Sequence, residues 1–356
     1  MIPFSYNALP TRVVFGTGTI KQVPAELARL GCNRALVVST PEQHALASHI
    51  ASLLGAFRAG TFTGAAMHTP VEVTSAALQQ VREHAADAVI AVGGGSAIGL
   101  GKAIALRTGL PQVAVPTTYA GSEATPILGE TDGGRKTTQR TPEVLPEVVV
   151  YDVDLTLTLP AALTATSGLN AIAHAVEALY AEDANPIASL LAEQAITLMA
   201  PALRILARDP SDHAARSGAL YGAWACGTCL GLVGMSLHHK LCHVLGGSFG
   251  LPHAPTHAVM LPHVAAYNAA SAPDAMRRIA KALGAPDAAG GLFALRQALN
   301  TPASLSEIGM QAADLDRAAD LAVANPYWNP APVTRDGMRA LLDAAFHGQT
   351  LLQRIN

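Results

Sequence analysis

The chain has 356 residues, 50% of them hydrophobic and 14% charged, which excludes a disordered polymer and supplies enough apolar surface for two packed domains. With 23 basic against 26 acidic side chains the net charge is -3, so no positive excess points to nucleic acid or an anionic membrane as a partner. Four cysteines, at 32, 226, 229 and 242, are too sparse for a disulfide framework and read as reduced thiols in the cytoplasm. The opening MIPFSYNALPTRVVFG has no basic region leading into an apolar segment, and no run of about 20 apolar residues free of polar interruption follows. A soluble protein without a signal peptide is expected.

In chain order, Gly16-Thr17-Gly18 reads as a hairpin turn, residues 35–39 as a strand, 43–54 and 72–85 as helices, and 88–92 as a second buried strand. Gly93-Gly94-Gly95-Ser96 breaks that strand and opens a helix through about residue 107, followed by strands at 112–116 and 147–151. Strands separated by helices predict an α/β layer with a largely parallel sheet. Beyond Asp154 the texture becomes Ala- and Leu-rich, with helical periodicity at 161–181, 187–206, 212–234, 236–246 and 272–282. Prolines at 252, 255, 262, 326, 330 and 332 read as turns between helices. The expected fold is therefore an α/β dinucleotide-binding domain over residues 1–158 followed by an all-α domain over 159–356, with the active site in the cleft between them.

Gly94, Gly95 and Ser96 stand at a strand-to-helix junction, where bare backbone and exposed amides cradle a pyrophosphate. The pattern is not the usual GxGxxG, because Ile98 takes the third glycine position. Thr117-Thr118-Tyr119-Ala120-Gly121-Ser122-Glu123 follows the next strand at the same end of the sheet, where doubly wound folds gather ligands. In the second half, Asn170 and His174 are four apart on one helix, and His239 and His243 four apart on another, so each pair shares a helical face. His238, His239, His243, His253, His257 and His263 fall within 26 positions, and several are expected to line one polar pocket. Cys226-Gly-Thr-Cys229 could be redox-active or ligate a metal, but inside an apolar helical run it reads as packing.

The GGGS loop, TTYAGSE, the helix GLNAIAHAVEALY at 168–180 and HHKLCHVLGGSFGLPHAPTHAVMLPH at 238–263 together resemble the iron-containing (group III) alcohol dehydrogenase superfamily, whose fold is that of dehydroquinate synthase. The resemblance spans nearly the whole chain, and within the superfamily it leads to the maleylacetate reductase branch. That branch reduces the double bond of 2-maleylacetate to 3-oxoadipate with NADH or NADPH in the bacterial degradation of aromatic compounds. The resemblance implies a metal site of one aspartate and three histidines in metal-dependent members. The matching positions here are Asn170, His174, His239 and His253, with His243 at the additional histidine near the nicotinamide.

Asn170 departs from that pattern, since a neutral amide binds Zn²⁺ or Fe²⁺ more weakly than a carboxylate. No obligatory metal is expected, although a weak or vestigial site at these four residues stays open. The resemblance further implies Gly94, Gly95 and Ser96 at the pyrophosphate, Thr117, Thr118 and Ser122 elsewhere along the dinucleotide, and Ser39-Thr40-Pro41-Glu42 near the adenosine ribose. The candidate catalytic set is His243, His253, His239, His174 and Lys240. Lys240 is a possible anchor for a substrate carboxylate, as are Arg135, Lys136 and Arg140. Asn325-Pro326-Tyr327-Trp328-Asn329-Pro330 is a suspected cleft wall. The expected partner is a small dicarboxylate keto acid, and the expected assembly a homodimer. The competing readings are a metal-dependent alcohol or hydroxy-acid dehydrogenase of the same fold, a dehydroquinate-synthase-like lyase, and a catalytically silent homologue.

Overall fold

β-branched runs too short to form stable helices fold as buried strands in the first unit, Ala8–Leu159, of a computed structural model that describes residues 3–349. The elements are β1 (Arg12–Gly16), α1 (Val23–Arg29), β2 (Ala35–Val38), α2 (His44–Leu53), β3 (Arg58–Phe62), α3 (Val71–Glu83), β4 (Ala88–Gly93), α4 (Gly95–Thr108), β5 (Gln112–Pro116), β6 (Ile127–Asp132), β7 (Arg135–Arg140) and β8 (Val148–Asp152). Six strands form one parallel sheet in the order β1-β8-β5-β4-β2-β3. β2, β4, β5 and β8 are buried along their full length, which matches their unbroken apolar runs. Strand order reverses between β2 and β4, so the carboxyl ends of these strands form the topological switch point at which such sheets take ligands.

Three features differ from the sequence expectation. β3 and the β6–β7 hairpin lie where the sequence reading assigns no element. RAGTF carries little apolar signal, and β7 is exposed at all six positions, so it has no buried face to mark it. The hairpin is closed by Gly133 and Gly134 at φ 52° and 80°, the left-handed pair that a two-residue turn requires. Gly16-Thr17-Gly18 is not a hairpin turn, because Gly16 ends a strand that pairs in parallel with β8. The segment is instead held by the buried Asp152, whose carboxylate accepts from the amides of Gly18 at 3.0 Å, Ile20 at 2.8 Å and Asp154 at 3.1 Å.

The second unit takes in everything from Pro160 and also residues 3–7. It comprises α5 (Ala161–Ala178), α6 (Pro186–Leu206), α7 (His213–Leu232), α8 (Leu237–Phe249), α9 (His253–Asn268), α10 (Pro273–Leu283), α11 (Ala288–Ala298), α12 (Leu315–Val323) and α13 (Arg335–His347), with no strand among its described residues. Asn185, Asp212, Asp287 and Thr334 cap α6, α7, α11 and α13 through their side-chain oxygens. One core joins α8, α9, α12 and α13 around Leu241, Val259, Met260, Leu315 and Leu341. Pro255 and Pro262 lie inside α9 rather than in turns. Pro255 falls in the first turn, where no intrahelical N–H is needed. Pro262 removes one ladder bond, a loss tolerated because the helix is buried throughout residues 256–265. Among the described residues α6 is long and apolar enough to cross a membrane, and α7 with α8 would be so as a pair bent by 96°. α6 nevertheless packs beside α5 and α7, and its Glu193 is paired with Arg278, as in a core helix of a water-soluble fold.

Removing the Asp152 carboxylate strands three amides. Asp152→Ala is expected to lower stability by about 3 kcal/mol in urea unfolding, whereas a loss below about 1 kcal/mol would show that water replaces the carboxylate there.

Candidate active site

Helical spacing places Asn170, His174 and Glu177 on one face of α5, and all three are buried. Glu177 is fully buried and collects five donors from the start of α8. Its Oε1 accepts from Ser236 Oγ at 2.9 Å and the His238 amide at 2.7 Å. Its Oε2 accepts from the amides of Ser236 at 3.0 Å and His239 at 3.4 Å, and from His239 Nδ1 at 2.6 Å. An anion at the first amides of a helix also meets the positive end of the helix dipole. Burial alone would raise the Glu177 pKa, but the His239 hydrogen bond and charge, helped by His238 and Ser236, outweigh it and hold the carboxyl at about 2.

Glu177 therefore fixes Nδ1 of His239 as a donor and leaves Nε2 to face His174, whose Nδ1 lies 2.8 Å away. Behind this pair lies a second layer. His238 Nε2 and His257 Nδ1 are 2.9 Å apart, and Cys242 Sγ is 3.7 Å from His238 Nε2. Both imidazoles are fully buried, and desolvation, aided by the neighbouring histidines, lowers His238 to about 3 and His257 well below its usual range. Both are neutral near pH 7. His257 also packs on His253, with ring centroids 4.4 Å apart, while His239 and His243 are 6.3 Å apart. His253, at the first turn of α9, and His243 are exposed, so they form the accessible part of the array.

The expected pocket of histidines is thus assembled in part. His174, His239, His243 and His253 come together, but His238 and His257 are a buried supporting layer rather than pocket lining. His263 stands apart, packed edge-on against Phe293 and held neutral by burial at about 3. Lys240 is half-buried with its ammonium 5.5 Å from the centre of the Tyr327 ring, so its charge is held over an aromatic face. The 325–330 segment is tied down by reciprocal amide bonds between Asn268 and Asn329 at 2.8 and 3.0 Å. Arg135, Lys136 and Arg140 lie on the exposed strand β7. Cys226 and Cys229 are buried, with burial raising the Cys229 thiol to about 12, as expected of packing residues.

In the sheet unit, α4 opens directly from β4 with Gly94 at its N-cap and no side chain capping it, so its first amides are open to an anion. A Cβ at Gly94 would lie 3.0 Å from the Thr118 methyl, and one at Gly93 only 2.3 Å from Gln43 Oε1. Glycine is therefore required for the loops after β2, β4 and β5 to meet. Gln43 closes this junction by donating to Thr117 Oγ1 at 2.8 Å, a residue that carries no motif and was missed in the sequence. Thr40 stands at the N-cap position of the short turn after β2 without a side-chain capping bond, and Gly95, Ser96, Thr118 and Ser122 stay at least partly exposed.

Residues 10–153 match the sequence model of the iron-containing alcohol dehydrogenases, and residues 164–346 that of the C-terminal part of the Fe-containing alcohol dehydrogenase family. The chain belongs to the iron-containing alcohol dehydrogenase family. Over 98% of its length and 99% of the relative's it is 56% identical to a maleylacetate reductase of Rhizobium sp. strain MTP-10005. It is 52% identical to one of Burkholderia cepacia, over 98% of its own length and 99% of that relative's. The crystal structure of maleylacetate reductase from Agrobacterium tumefaciens superposes with a TM-score of 0.96 at 56% identity, covering 98% of this chain and 99% of that one.

The family name raises the question of a metal. Asn170 Oδ1 is buried with no hydrogen-bond partner among the described residues, as a coordinating oxygen would be. The 2.8 Å between His174 and His239 would need to open only to about 3.3 Å for both nitrogens to bind one tetrahedral ion. Asn170, His174 and His239 would offer a divalent cation only an amide oxygen and neutral imidazoles, while His253, the expected fourth ligand, packs on His257. The Glu177 carboxylate faces the opposite nitrogen of His239.

Glu177 also sets a pH dependence. Its pKa falls from 4.5 to about 2 on folding, so it stabilises the fold by about 3 kcal/mol above pH 5, and that contribution fades as pH drops from 4.5 towards 2. The stability advantage of the wild type over Glu177→Gln, measured by urea unfolding, should follow the same course. An advantage equal at pH 7 and pH 3 would contradict the assignment.

Proposed function

We propose that this chain catalyses the reduction of 2-maleylacetate to 3-oxoadipate with NADH or NADPH, and that it needs no bound metal to do so. The observation that carries the reading is 56% identity over essentially the full length of a maleylacetate reductase. The uncharged amide at Asn170, a weaker ligand for a divalent cation than a carboxylate, supports the metal-free part. In this reading the loops of the sheet unit hold the dinucleotide and the helical unit acts on the substrate. Gly94, Gly95 and Ser96 take the pyrophosphate at the open end of α4, while Thr117, Thr118, Ser122 and Thr40 flank it.

The dinucleotide, when bound, supplies a hydride from its nicotinamide C4 to the carbon β to the substrate ketone. The electron pair of the double bond then moves to the ketone oxygen, and the α carbon takes a proton. The exposed His243 and His253 are placed to donate to that developing enolate oxygen and to deliver the proton, directly or through water. His239 and His174 form the backing chain that ends on Glu177. Lys240, held over Tyr327, is the cation offered to one substrate carboxylate. A metal ion at Asn170, His174, His239 and His253 would polarise the ketone, and the same enolate chemistry proceeds without it. Four buried, unpaired cysteines support a reducing, cytoplasmic setting. β1, with no strand on its outer side among the described residues, supports a homodimer formed by edge pairing.

Loss of reduced-nicotinamide absorbance with 2-maleylacetate should yield one 3-oxoadipate per dinucleotide oxidised, with no comparable turnover of simple aldehydes. Turnover confined to aldehydes or ketones would favour a metal-dependent alcohol dehydrogenase instead. Asn170→Asp should restore an anionic ligand and tighten Zn²⁺ binding about tenfold or more in calorimetry. Unchanged affinity would mean that the four residues do not converge on one ion.

A further inference from the structure

The proposed dinucleotide loops are joined by a residue to which no motif draws attention. Lys102, two turns into α4, is fully buried, an expensive location for an ammonium unless every proton is used. Its Nζ donates to the carbonyls of Ser122 at 2.6 Å, Thr125 at 2.7 Å and Ile127 at 2.8 Å, with Thr125 Oγ1 at 3.0 Å. All four acceptors belong to the turn that leads from the β5 loop into β6. That turn carries Glu123, also buried, which receives the Tyr151 hydroxyl at 3.0 Å and offsets the lysine charge. A single side chain thus ties the helix whose first amides form the anion cradle to the segment that presents Thr117, Thr118 and Ser122.

We propose that Lys102 is a positioning residue for the dinucleotide, fixing the spacing between the α4 cradle and the 117–127 segment so that both engage one cofactor. The inference rests on the cofactor assignment made above. It assigns Lys102 no contact with the dinucleotide. Burial lowers its pKa to about 7, with Glu123 opposing. The three carbonyls can only accept hydrogen bonds, so they favour the ammonium form. A lysine needed only to fill space would be replaceable by methionine with no specific consequence for ligand binding.

The test measures NADH binding by fluorescence titration of the full chain, together with KM for each substrate and kcat, in wild type, Lys102→Met and Thr125→Val. Wild type must bind NADH or NADPH, the one it binds then serving for every variant in place of NADH, and failure to bind either would overturn the cofactor assignment itself rather than the role of Lys102. With NADH bound by the wild type, Lys102→Met is expected to raise the NADH Kd about tenfold or more, with the KM for the dicarboxylate little changed and the loss concentrated in cofactor affinity. A folded variant whose NADH Kd stays within about twofold of wild type overturns the proposal, as does a fall in kcat with Kd unchanged. Should Lys102→Met fail to fold, Thr125→Val decides. It removes one acceptor and keeps the ammonium, and a severalfold rise in NADH Kd with an unchanged circular dichroism spectrum supports the bridge, whereas an unchanged Kd overturns it.

Discussion

The helical unit is organised around one buried carboxylate. Glu177 reaches from α5 to the first turn of α8 and takes five hydrogen bonds there, so it closes the helix end and orients His239 at once. A charge this deep would cost several kcal/mol if unpaired. The donors convert that cost into a constraint, because α5 and α8 can pack only in the register that brings all of them to the two oxygens. From that register follows the approach of His174 to His239 and the seat of His257 against both layers.

The sheet unit works by a comparable economy. Parallel strands buried on both faces leave their carboxyl ends as the region free to vary, and bare glycine backbone at Gly93 and Gly94 lets three loops approach there. Gln43 and Lys102 tie those loops together, one through Thr117 and the other through the carbonyls of Ser122, Thr125 and Ile127. On the proposed reading the chemistry divides accordingly, with anion recognition assigned to backbone amides and proton handling to imidazoles. A substrate whose ketone is conjugated with its double bond suits this division. It carries its own electron sink and asks the protein for hydrogen-bond donors rather than a strong Lewis acid.

Much of this was legible in the sequence. Continuous apolar runs mark β2, β4, β5 and β8, and the Ala- and Leu-rich periodicity marks α5 to α8. The i,i+4 spacing of Asn170 with His174 and of His239 with His243 marks shared helical faces. What escaped depended on tertiary partners. β7 has no apolar face because both sides meet solvent, and Pro262 reads as a break because its lost hydrogen bond is compensated only by surrounding packing. Glu177 and Lys102 look like ordinary helix charges, and only burial with specific acceptors or donors separates them from a solvated face. His238 and His257 carry the same letter as the exposed His243 and His253, and only burial in the fold separates them. A glutamate three residues after His174 on the same face was the one available signal for the buried anchor.

We propose that the array anchored on Glu177 acts through its own donors and that Asn170 marks a position where no tightly held ion is needed. The most direct test measures turnover of 2-maleylacetate by enzyme stripped with a chelator, with the residual metal content of the same sample determined by mass spectrometry. The account predicts full kcat at metal content far below one ion per chain, and no gain on adding Zn²⁺ or Fe²⁺. Activity that disappears with the metal and returns in proportion to the ion restored would contradict it.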